Sequence, residues 1–138
     1  VVDEKYIAAV RDGVEKMDAT VQKLAELRDQ KKMLDILAIA TPLQNAMRML
    51  AHAWMHLWSL TITIPKLKAT AQDIAAEKIV NIVKDNAEAA YYYGRILSAR
   101  YYLGAEFKHY SGYLDYITSG EQAVVEAFED IFTGALQQ

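Results

Sequence analysis

The sequence contains no cysteine, which excludes disulfide stapling, thiolate zinc sites and cysteine nucleophiles together. A reducing, cytoplasmic setting is therefore the expected one. Only two prolines and six glycines interrupt 138 residues, so little in the chain opposes long helices. Basic charge is not in excess: 15 Lys and Arg stand against 18 Asp and Glu, for a net charge of −3. With no basic stripe interleaved with aromatics, nucleic acid is not an expected partner. The longest run without a charged side chain, Met49 to Pro65, is 17 residues and holds two histidines, short of the ~20 apolar residues a bilayer span requires. No GxGxxG, P-loop, HExxH or GxSxG pattern occurs, so dinucleotide binding, Walker-type phosphate binding, zincin chemistry and hydrolase elbows lack their parts. Val1 opens directly into a charged amphipathic pattern, without a basic or apolar leader region. That reads as an excised domain rather than a secreted precursor.

What the chain does have is apolar helix. A hydrophobic fraction of 53% suits a folded domain, and about 150 residues bury roughly 70% of their unfolded surface. Asp3 can cap a first helix in which Ile7, Val10, Val14, Met17, Val21 and Leu24 step by three and four residues, a heptad seam. Gly13 lies inside that pattern at a cost of about 1 kcal/mol, and the unbroken seam predicts that the helix survives it. A polar corner at Asp29–Lys32 and a short helical turn over Met33–Ala40 follow. Thr41-Pro42 then starts a second long helix, predicted to end near Pro65, where the missing N–H opposes continuation. From Leu43 to Ile64 this helix is apolar on nearly every side, which implies complete burial or a second partner surface. Leu57 is its expected core residue.

Lys66 to Asn86 reads as a connector with one short helix, its apolar rhythm carried by Ile74, Ile79, Ile82 and Val83. A third long helix is predicted from Asp85 or Asn86 to Thr118, with Ala89, Tyr93, Ile96, Leu97, Leu103, Phe107, Tyr110 and Leu114 on its inner side. Eight of the nine tyrosines fall between Tyr91 and Tyr116, amphipathic rings suited to contact surfaces. Gly94 and Gly104 either mark close approach of another backbone or are simply tolerated. A last short helix carries Val124, Phe128, Ile131 and Phe132 and ends at Gly134. The expected fold is all-α, an up-down four-helix bundle with a short extra helix in the connector between the second and third long helices, in a single domain, 1–138.

Candidate chemistry is sparse. His52 and His56, four apart on one helix, can point the same way toward one metal ion. Glu106 and His109 form one E-x-x-H unit, the motif that di-iron bundles use twice. The four together could make a mononuclear site, but no acid lies between Asp35 and Asp73, so packed histidines and a solvated helix face are preferred and no metal is expected. Arg95 and Arg100 amid tyrosines can meet an anion such as a phosphate or nucleotide tail, or pair with acids and rings. Trp54 and Trp58, with Met55 beside them, can floor a pocket or anchor an interface. Trp54, Trp58, Tyr92, Tyr101 and Tyr102 are the interface candidates.

From Trp54 onward, in WSLTITIPKL at Trp58 to Leu67, AAYYYGRILSARYYLGAEF at Ala89 to Phe107 and EDIFTGAL at Glu129 to Leu136, the chain resembles the extra C-terminal domain of large acyl-CoA dehydrogenases. The resemblance implies a helical bundle that follows a flavin-binding core. In the full-length enzyme FAD would remove two hydrogens across the α,β carbons of an acyl-CoA thioester, with a glutamate as base. No position here matches a catalytic motif, so no catalytic residue and no cofactor are expected in this chain. The implied partners are the upstream dehydrogenase domains of the same polypeptide and further copies in a homo-oligomer. Two other readings stand beside this one: a free-standing bundle holding a small ligand or metal at Trp54/Trp58 or His52/His56, and an oligomeric adaptor.

Overall fold

A computed structural model describes residues 1–71 and 76–134. The fold is all-α, with no strand among the described residues. Helix α1 spans Glu4–Asp29, α2 Met33–Ala38, α3 Ala40–Ala71, α4 Ala76–Asp85 and α5 Ala87–Gly104. A 3-10 turn at Glu106–Lys108 leads to α6, His109–Thr118, and single turns α7, Ala123–Glu126, and α8, Asp130–Thr133, close the described chain. Helix α4 is the extra helix expected in the connector. The N-caps follow from side-chain chemistry: Asp3 accepts from the Lys5 amide and Asn86 from the Ala89 amide.

The bundle is organised on α3. Helices α3 and α5 pack on each other, and each carries fully buried alanines, Ala46 and Ala53 on α3 and Ala89 and Ala99 on α5. Helix α3 also packs on α6 and α1, while α4 covers α5. Leu60 and Ile79 are the large side chains most completely enclosed. Leu57 only borders this core, so the centre of the helix lies one turn beyond the expected position.

Four helix boundaries and faces depart from the sequence expectation. First, α3 runs through Pro65 to Ala71. Its buried stripe, Ala53, Leu60, Thr63, Leu67 and Ala71, continues across the proline, and tertiary burial outweighs the ~3 kcal/mol a mid-helix proline costs. Second, the inner stripe of α1 is Tyr6, Val10, Gly13, Met17, Thr20 and Leu24. Val14 and Val21 of the expected seam are exposed. Third, the helix expected to run unbroken to Thr118 is interrupted after Gly104, where Ala105 takes φ −125°, ψ −68°. The break coincides with Phe107 entering the core. Leu97 of its expected inner side is exposed, whereas Ala89, Ile96, Leu103, Phe107, Tyr110 and Leu114 are buried. Fourth, the expected last helix forms only two turns, and Val124, Phe128, Ile131 and Phe132 stay exposed; two four-residue turns are too short to seat an apolar stripe. Ile74 of the connector lies outside the described residues.

Gly13 explains the second departure. A Cβ there would lie 2.8 Å from Cζ of Phe107 and 3.1 Å from Cδ1 of Leu50, so the absent side chain is the seat of a buried ring. Gly94 meets nothing within 4 Å, and Gly104 meets only Tyr6 at 3.9 Å. Those two are tolerated glycines; the close approach is at Gly13.

Candidate functional site

The flanks of α3 and α5 form a groove of about 570 Å³. From α3 come His52, Met55, His56, Trp58, Ser59, Ile62, Thr63 and Lys66, which recur every three or four residues and so share one side of the helix. From α5 come Tyr91, Tyr92 and Arg95. Lys66 reaches the site only because α3 continues past Pro65. Its ammonium sits 5.6 Å from the centroid of the Tyr92 ring, a cation–π distance. The Tyr92 hydroxyl donates to Glu88 at 3.1 Å. Arg95 Nη2 donates to the neutral Ser59 Oγ at 3.5 Å. No carboxylate lines the groove among the described residues.

The histidines are used for packing. Tyr102 stacks on His56 at 4.7 Å and 25°, and meets His52 edge-on at 6.0 Å. The Tyr102 hydroxyl donates to the Met49 carbonyl at 3.2 Å, fixing the ring. Burial pushes the His56 pKa down, with Arg95 and His52 adding to the effect. Burial raises that of Tyr102. Glu106 accepts from the Tyr101 hydroxyl at 2.8 Å, a hydrogen bond that also raises the Tyr101 pKa. His109 faces a different surface, beside Thr41, Pro42, Asn45 and Tyr113. The four-residue metal arrangement of His52, His56, Glu106 and His109 is therefore not assembled. No three His, Asp or Glu side chains converge on a metal position among the described residues.

The two arginines also part. Arg95 enters the groove, whereas Arg100 lies in the electrostatic surroundings of Asp3 and Lys5 at the start of α1. The tryptophans stack on each other, ring centroids 6.2 Å apart at 13°, and stand 59% and 56% exposed. Trp58 forms the rim of the groove; Trp54 continues the apolar ridge outside it, with Met47 and Met55 exposed on the same helix. Among the interface candidates Tyr101 is 64% exposed, while Tyr92 and Tyr102 are half-buried against the core. The sequence reading missed Ser59, Ile62, Thr63, Lys66 and Tyr91. The signal was present in the helical spacing of His52, Met55, Ser59, Ile62 and Lys66, but a stop at Pro65 cuts it off.

The family model described as acetyl-CoA dehydrogenase C-terminal like matches residues 3–127. The chain belongs to this family. The match spans α1 through α7 and so includes the whole groove. No curated protein and no solved structure matches. In this acyl-CoA dehydrogenase C-terminal-like domain no helix is long and apolar enough to cross a membrane among the described residues. Met47, Trp54, Met55 and Trp58 form an exposed apolar ridge on α3.

Proposed function

We propose that the domain is a scaffold and contact domain of a flavin-dependent acyl-CoA dehydrogenase and is not catalytic alone. The full-length protein removes two hydrogens from the α and β carbons of an acyl-CoA thioester, yielding the enoyl thioester and reduced FAD. The family match supports the parent activity. The observation that carries the contact role is the stacked Trp54–Trp58 pair, more than half exposed on a helix whose other side is already full. Large exposed aromatics in a row gain little by facing water and much by being covered. Their occupant is the preceding dehydrogenase region of the same polypeptide; a second copy of the chain is the alternative the same surface admits.

FAD is assigned to the preceding region. The α3–α5 groove lies along an exposed helix flank rather than enclosing a tricyclic ring.

The reading is tested in two arms. The 138-residue chain, mixed with FAD, an acyl-CoA and an electron-accepting dye, is expected to give no turnover; dye reduction would overturn it. In the polypeptide that carries the dehydrogenase region as well, Trp54→Ser with Trp58→Ser is expected to lower the thermal midpoint of the whole protein while barely changing that of this domain alone. Equal shifts in both would place the pair in the domain's own core and remove the contact role.

A further inference from the structure

Two cations, Lys66 and Arg95, share the α3–α5 groove, and no carboxylate lines it among the described residues. Lys66 sits over the Tyr92 ring, whose hydroxyl donates to Glu88 outside the lining, and Arg95 donates to the Ser59 hydroxyl. Neither belongs to an ion pair among the described residues, where each salt bridge joins exposed groups elsewhere. In a chain with more acids than bases, two cations directed into one concavity without a carboxylate leave positive charge for a ligand to meet. His56 does not supply that charge. Burial and the neighbouring Arg95 favour its neutral form, and its ring face is taken by Tyr102.

The remaining lining is aromatic rather than aliphatic. Tyr91 and Tyr92 meet edge-on at 5.5 Å, and exposed Tyr91 faces the groove together with Trp58. Flat rings at the rim offer stacking surface to a flat ligand, and a guanidinium fork matches phosphate oxygens in pairs. About 570 Å³ lies within the ~300–1,000 Å³ typical of small-molecule sites. The geometry points to a binding site for a nucleoside phosphate in the α3–α5 groove, with Arg95 and Lys66 holding the phosphate and Trp58 and Tyr91 flanking the base. This inference stands on the groove's own residues and does not depend on the dehydrogenase reading.

Calorimetric titration of the purified 138-residue chain with ADP, with adenosine and with inorganic phosphate, at low salt, tests it. ADP is expected to bind one to one, about tenfold or more tighter than either fragment, because charge and stacking act together. Arg95→Gln and Lys66→Gln are each expected to weaken ADP about tenfold. Tyr91→Ala should weaken ADP and adenosine but leave phosphate unchanged. All three positions are exposed, so unchanged thermal unfolding of each variant verifies that the fold is intact. Absence of ADP binding at millimolar concentration overturns the site. So does ADP binding no tighter than phosphate, which would mean an adventitious ion only, or ADP affinity unaltered by Arg95→Gln.

Discussion

The hydroxyl of Tyr110 donates a 2.8 Å hydrogen bond to the carbonyl of Gly13, across 97 residues of sequence. The same glycine seats Phe107, whose ring stacks on Tyr110 at 5.0 Å. The missing side chain on α1 thus seats the ring from the 3-10 turn while the carbonyl of the same residue holds the hydroxyl from α6, tying the bend between α5 and α6 to the first helix.

Tyr110→Phe keeps the ring and removes the donor. A loss of about 1 kcal/mol is expected in denaturant unfolding. Burial, with Asp12 adding, pushes the Tyr110 pKa up to about 12, so the folded state holds the phenolic proton more tightly than the unfolded one. Its contribution is complete below the ordinary value of 10 and is lost as pH rises toward about 12. The wild-type midpoint should therefore fall over that interval more steeply than the Phe variant's; parallel curves would count against the buried bond.

Gly13→Ala and Gly94→Ala are expected to move in opposite directions. Alanine should stabilise α5 at position 94 by up to about 1 kcal/mol, since nothing lies within 4 Å. At position 13 the same gain is opposed by overpacking of about 1–3 kcal/mol, because Phe107 is buried and stacked. Thermal melts of the two variants check this, and a stabilising Gly13→Ala would show that Phe107 has room to move.

Pro65→Ala should raise stability by about 1–3 kcal/mol. Residue 65 is exposed on the outer side of α3, so no packing is lost, and the restored N–H can complete the ladder to Thr61. A lower melting temperature would contradict a continuous helix at this point.

Leu60→Ala is expected to cost about 2–5 kcal/mol, since Leu60 is 1% exposed. Leu57→Ala should cost less, because Leu57 is only partly covered. Chemical denaturation of both variants decides the order.

For His56 the pKa is lowered from 6.5 by burial first and by Arg95 and His52 next. The unfolded chain then binds more protons as the solution is acidified, so its stabilising effect is whole above about pH 6.5 and declines as pH falls through the depressed value. His56→Gln should flatten the decline in the unfolding midpoint between pH 7 and 5; an unchanged slope would assign that decline to other groups.

The existence of the helices, the cap at Asp3, the start of α5 beside Asn86, the all-α class and the family were all legible in the residues, because capping chemistry and helical spacing act over one or two turns. So was most of the inner stripe from Ala89 to Leu114. The groove was legible only in part: His52, His56, Trp58 and Arg95 stood out as residue types, but their grouping with Lys66 and Tyr91 requires knowing that α3 passes Pro65 and lies beside α5. On α1 the expected seam and the buried stripe share Val10, Met17 and Leu24. Adjacent residues on a helix differ by about 100°, so hydrophobicity alone favoured Ile7, Val14 and Val21. Tertiary structure chose Tyr6, Gly13 and Thr20 because Phe107 and Tyr110 need a gap and a carbonyl rather than another methyl group. The sequence by itself determined where helix can form; packing between distant helices decided which face turns inward, whether a proline stops a helix and where one bends, because those choices rest on burial energies larger than the local preferences they override.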